Sequence, residues 1–194
     1  MRSSPLIPSL ALLLALPLGG CGERVDYEDP DAATLVDDAF NDTDMKKLAD
    51  KMTQSMMASG VFAEGQAKKP VIKVELVTNR TNEHVDIKSM TDKIRTGIAR
   101  TGRLEVVDET ARQTLPEEYE YQASGNIDPA TAKGPGRQIA PDYLLRGDLA
   151  GEVHESKYQK TRVIYYKLTL QLTDVSRNVL VWTDDDEIKK VRRK

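Results

Sequence analysis

Strict alternation across residues 161–175 is the strongest constraint on what this chain can fold into. Ile164, Tyr166, Leu168, Leu170 and Leu172 point one way, while Tyr165, Lys167, Thr169, Gln171 and Thr173 point the other. A two-residue period of this length does not fit a helix, whose apolar positions return every 3.6 residues. It calls for a sheet with one buried and one wet face. Residues 142–153, containing Tyr143-Leu144-Leu145, read as a strand before it. Val179-Leu180-Val181-Trp182 opens a strand after it, running to about Lys190, and residues 174–178 hold the turn. These three strands form an antiparallel meander.

A second unit lies upstream. Residues 71–77 read as a strand entered through Pro70, with Ile72, Val74 and Leu76 on one face and Val71 and Val77 on the other. Residues 78–84 read as a loop. Asp86 caps a helix through Thr101, with Ile87, Met90, Ile94 and Ile98 on one face and Gly102 placed to end it. Residues 104–107 are a short strand. Such a β-α-β unit joins its strands in parallel through a right-handed crossover. Before it, Asp42 or Thr43 caps a helix from about Asp44 to Ser59, whose Met45, Leu48, Ala49, Met52, Met56 and Met57 read as core. Asp108 caps a short helix through Leu115. Pro116 and later Pro and Gly residues then predict a loop to 141, with a second short helix near 129–133. Aromatics make up 5% of the chain, so the core is expected to be aliphatic. The expected fold is α/β (α+β), with a mixed sheet of about five strands flanked by helices.

The first twenty residues differ from the rest. Arg2 is their only charge, and Leu6 to Leu18 is an apolar run interrupted by Pro8 and Pro17. It is shorter than the ~20 residues that span a bilayer and matches a secretory signal. Leu18-Gly19-Gly20-Cys21 resembles the lipobox of bacterial lipoproteins. The resemblance implies cleavage between Gly20 and Cys21 and lipid on the Cys21 thiol, giving membrane attachment. Gly22 in the sorting position implies the periplasmic face of the outer membrane. Residues 21–43 follow as an acidic tether, with Asp and Glu set against Arg24 alone. Residues 32–40 carry a short helical pattern. The globular domain is expected over 44–194.

Charge and composition exclude several functions. A net charge of −3 provides no basic footprint for nucleic acid. One Cys excludes an internal disulfide and any multi-Cys metal site, and two His exclude a three-His zinc site. No G-x-S-x-G, S-x-x-K, P-loop or G-x-G-x-x-G appears. No metal, cofactor or catalytic residue is therefore expected. His84 and His154 have no neighbouring His, Cys or triad pattern; His84 lies near Glu83 and Asp86, which could suggest a metal, but a loop or helix-cap role is expected. Asp184-Asp185-Asp186-Glu187 is read as charge guarding an edge strand. Lys189, Lys190, Arg192, Arg193 and Lys194 are read as a solvated basic end.

The helix, β-α-β unit, irregular segment and meander are similar in order to the amino-terminal domain of TolB. Ordered words narrow the resemblance. Val77-Thr78-Asn79-Arg80-Thr81-Asn82-Glu83-His84-Val85-Asp86 leads to Met90-Thr91-Asp92-Lys93-Ile94-Arg95-Thr96 and Arg103-Leu104-Glu105-Val106-Val107-Asp108. Asp142-Tyr143-Leu144-Leu145-Arg146-Gly147, Val181-Trp182 and Glu187-Ile188-Lys189-Lys190 follow. Over residues 45–190 this resembles the LpoB family of outer-membrane lipoprotein activators of penicillin-binding proteins. The resemblance implies a non-enzymatic regulator that binds the regulatory domain of a bifunctional class A penicillin-binding protein and stimulates peptidoglycan synthesis. The tether is shorter and more acidic than the long Pro-rich tethers of that family. The alternative is a CsgG-like envelope assembly or secretion lipoprotein, which would need membrane hairpins with outward apolar alternation. Asn79, Arg80 and Asn82, in the loop after the first strand, are the candidate partner-binding residues. Oligomeric state is left open.

Overall fold

A computed structural model of the chain describes residues 27–33, 37–62, 68–156, 158 and 160–193. Gly20 and Cys21, with the rest of the expected signal, lie outside them. Residues 1–32 form one unit and residues 33–194 another. In the first, Asp29 accepts the Asp31 and Ala32 amides.

The domain opens with α1 (Asp42–Ala58). It starts two residues earlier than expected, because Asn41 is its cap rather than Asp42 or Thr43. The Asn41 side chain accepts the Asp44 amide at 3.1 Å and the Asp44 carboxylate accepts the Asn41 amide at 3.0 Å, a reciprocal capping box. The strands β1 (Val71–Val74) and β2 (Thr78–Arg80) come next, then α2 (Ile87–Arg100) and β3 (Glu105–Val106). After α3 (Glu109–Ala123), the meander is β4 (Tyr143–Ser156), β5 (Thr161–Asp174) and β6 (Val179–Arg193). The sheet order is β3-β1-β4-β5-β6, with β2 also paired to β4, which gives six strands. β1 is parallel to β3 and β4, and β5 is antiparallel to both β4 and β6.

The sixth strand arises from one extra residue. β1 pairs Val74 with Leu145, and β2 pairs Thr78 with Asp148. Four steps along the first strand thus match three along β4, a bulge. Strict alternation breaks there: Val74 and Val77 are buried, and Leu76, expected beside Val74, is 63% exposed. The same pairing turns Thr78, Asn79 and Arg80 from the expected loop into a strand.

The alternation of β5 holds along its length. Ile164, Tyr166, Leu168, Leu170 and Leu172 are buried and join Leu48, Met52 and Met56 of α1 and Met90, Ile94 and Ile98 of α2 in one core. The alternation over 163–182 thus serves a packed sheet face. Gly147 in β4 is required by this packing, since a Cβ there would lie 2.5 Å from the Thr169 carbonyl oxygen. α2 is capped by Asp86, and Gly102 after it has φ +66°, as its sequence requires.

The segment between β3 and β4 departs from expectation. α3 continues through Pro116 to Ala123 and buries no residue. Proline removes one bond to the Arg112 carbonyl, but Arg112 is exposed, and solvent can satisfy an exposed carbonyl. The Asp108 cap and a 2.7 Å bond from Gln122 to Glu118 support the helix locally. Residues 129–133 form one turn about the Asp128 carbonyl, not a helix.

Candidate functional site

β2 and the turn after it carry the residues singled out in the sequence. Asn79 is the brace of this turn. Its Nδ2 donates to the Glu83 carbonyl at 2.9 Å. Its Oδ1 accepts the Thr81 amide at 2.9 Å and the Thr81 hydroxyl at 2.8 Å. The Glu83 amide donates back to the Thr81 hydroxyl at 3.1 Å. An Asn that closes on its own turn in this way is conformational glue. Gly151 of β4 lets the turn approach, since a Cβ there would meet Thr81 side-chain carbons at 3.1 Å. Arg80 and Asn82 are exposed. Arg80 sits 4.0 Å from Asp148 and keeps a mostly exposed side chain. The structure therefore places all three residues together and divides their roles: Asn79 shapes the turn, while Arg80 and Asn82 are presented by it.

Glu83 was missed by the sequence reading. Its Oε2 accepts the Phe40 amide at 3.0 Å, and its Oε1 accepts the Tyr166 hydroxyl at 2.7 Å. Phe40 packs edge-on against the Tyr166 ring, with centroids 5.2 Å apart. Burial, then the Glu83 carboxylate, pushes the Tyr166 phenol above its ordinary range. One carboxylate thus joins the turn, the core strand β5 and the segment that enters α1. The only local hint is an acid inside a polar loop, because its partners lie 43 and 83 positions away.

That entering segment, residues 37–41, falls within the stretch expected to be tether and lies against the domain. Residues 37–40 are not helical, contrary to the pattern read over 32–40, because the Asp37 carboxylate accepts the Ala39 amide. Lys190 of β6 donates to the Ala39 carbonyl at 2.6 Å and pairs with the Asp44 carboxylate at 2.5 Å. Both side chains of that pair are largely buried. The basic end is therefore part of β6 rather than a loose terminus. Asp184 accepts from Ser55, and Asp186 pairs with Lys51, so half of the acidic run holds α1.

His84 is exposed, and His154 lies 3.5 Å from Glu152, with both side chains mostly exposed. Among the described residues no group of His, Cys, Asp and Glu is arranged to hold a metal. No helix among them is long and apolar enough to cross a membrane.

The family model described as peptidoglycan-synthase activator LpoB matches residues 44–188. The chain is 21% identical to the LpoB C-terminal domain from Escherichia coli, with a TM-score of 0.48, covering 76% of this chain and 99% of that one. The corresponding Salmonella enterica domain has 19% identity and a TM-score of 0.47 over the same shares. The solution structure of E. coli LpoB has 18% identity and a TM-score of 0.44, covering 97% of this chain and 86% of that one. No curated protein matches significantly.

Proposed function

The chain belongs to the LpoB family of peptidoglycan-synthase activators, and on that premise we propose that it is a lipid-anchored, periplasm-facing regulator of a bifunctional class A penicillin-binding protein. The observation that carries this reading is the family match over 44–188, which spans nearly all of the described domain. Residues 1–20 act as the signal, and Cys21 becomes the first residue and carries the lipid. With more than one acyl chain, the attachment is stable. The periplasmic face of the outer membrane is the location that Gly22 favours.

The protein acts by binding and not by catalysis. An activator must bind the active conformation of the synthase better than its resting one. A tenfold shift in that equilibrium corresponds to about 1.4 kcal/mol of differential binding. Arg80 and Asn82 are suited to that contact: both are exposed, and the turn that presents them is rigidly braced, so little entropy is lost on docking. Asn79 contributes through the brace.

The test is glycan-strand polymerisation by the cognate class A synthase with and without the purified domain. Stimulation by the wild-type chain is expected, with Arg80→Glu losing most of it while keeping the wild-type melting temperature. Absence of both binding and stimulation at micromolar concentration would reject the reading.

A further inference from the structure

The end of the meander farthest from the 174–178 turn combines three features that the activator role does not use. The first is charge. β5 and β6 pair Thr161 with Arg193 and Arg162 with Arg192, and Tyr165 with Lys189. Lys160, in the turn before β5, stands at the same end. Lys160, Lys189, Arg192 and Arg193 are exposed. The second is an apolar tip. Tyr158, in the turn joining β4 to β5, is 98% exposed, and Val191 between the basic residues of β6 is 43% exposed. An aromatic ring flanked by Lys and Arg suits the boundary between headgroups and acyl chains. The third is the path of the chain. Asp38 sits at this end, 3.5 Å from Arg192 and 3.6 Å from Arg162. It lies seventeen positions after Cys21, a reach of at most about 60 Å.

We propose that this end of the meander is a docking surface for anionic phospholipid headgroups. The inference goes beyond the activator reading and draws on it only for the lipid at Cys21. A tether from that lipid enters the domain at the basic end, so the surface closest to the anchor along the chain is the one with the charge to hold a membrane. Asp38 behaves as a stand-in for a headgroup oxygen. Its Oδ2 and the Arg162 Nε are buried without a hydrogen bond; that Nε lies 3.6 Å from Asp38 and 3.4 Å from Glu155, both too long for a charge-assisted bond. A phosphate oxygen would therefore displace a weak partner. Asp37 and Asp38 border an open depression of about 800 Å³ lined by Lys189 to Arg193, which leaves room for such a group.

The experiment uses the chain without residues 1–20 and with Cys21→Ser, so that no lipid contributes. It is sedimented with vesicles of equal parts phosphatidylethanolamine and phosphatidylglycerol, and with phosphatidylcholine vesicles. Binding is expected on the anionic vesicles alone and should weaken as salt rises. Each exposed Lys or Arg near an anionic leaflet strengthens attachment roughly fivefold. The triple variant Lys189→Gln, Arg192→Gln, Arg193→Gln should therefore bind roughly a hundredfold more weakly. Tyr158→Ser should lose affinity while keeping the salt dependence. All variants are checked by thermal melting. Equal binding to both vesicles, or full binding by the triple variant, overturns the proposal. So does no binding at all. If the triple variant then loses affinity for the synthase, the surface belongs to an acidic protein partner. Synthase stimulation by the same chain reports on the activator reading separately.

Discussion

Two helices of nearly equal length show what holds this fold together. α2 spans 14 residues and α3 spans 15, and each begins with an Asp whose side chain accepts backbone amides of its first turn. α2 buries Met90, Thr91, Ile94 and Ile98, whereas α3 buries nothing. The spacing of apolar residues does not separate them, since Met90, Ile94 and Ile98 repeat every four residues and so do Ala111, Leu115 and Tyr119. The difference lies in what meets the stripe: α2 packs against α1, whereas no helix or strand packs extensively on α3, whose stripe stays half-buried. Caps set where both helices start, but only tertiary packing commits α2 to the fold.

The largest expected effect comes from deepening this contrast. Ile94→Ala should cost about 3 kcal/mol by cavity formation, whereas Leu115→Ala should change global stability by less than about 0.5 kcal/mol. Urea denaturation measures both, and equal costs would mean that α3 is part of the cooperative core. A smaller, local effect is expected from Pro116→Ala. Restoring an interior amide should stabilise α3 against local opening by about 2 kcal/mol, visible as slower amide exchange in residues 109–123. The urea midpoint should stay nearly fixed, and a matching rise in it would show that α3 unfolds with the rest. The smallest effect concerns the α2 cap. The Ser89 hydroxyl and then the Ser89 amide hold the Asp86 carboxyl below its ordinary range. Its contribution is therefore complete above the usual aspartate pKa and is lost as pH falls through the lower folded value. The Ser89 amide resonance should titrate with a midpoint below that of an unstructured aspartate. A midpoint at the ordinary value would remove the cap from the account.

The sequence made α2 legible in full, because both of its caps and its stripe are local signals. β5 was legible for the same reason: Leu168 and Tyr166 lie where a two-residue period puts them. Leu76 was misjudged because a bulge is a property of two strands, and the partner, β4, lies about seventy positions downstream. Pro116 reads as a stop because propensity describes an isolated helix, whereas the exposed setting of α3 lowers the penalty. Asn79 fixes its own turn, the role that the chemistry of an Asn in a polar loop favours. Glu83 could not be read, since neither Phe40 nor Tyr166 is near it in sequence. The docked segment at 37–41 was hidden by its composition, which resembles a solvated linker until Lys190 and Arg192 are brought against it.

The extra residue between Val74 and Thr78 acts as a phase shift. Were that residue paired regularly instead of bulged out, Asn79 would lie opposite Ala150 and Arg80 opposite Gly151, with the two side chains exchanging faces. With the bulge, Arg80 lies opposite Ala150, on the side of Asp148, and Asn79 lies opposite Leu149. Which of the two residues is offered to a partner and which is spent on the brace is thus set by the bulge just upstream. A single-codon deletion at Leu76 would make the two strands equal in length, removing the bulge while keeping Arg80 opposite Ala150, so the side of the sheet that carries recognition depends on where the surplus residue is absorbed.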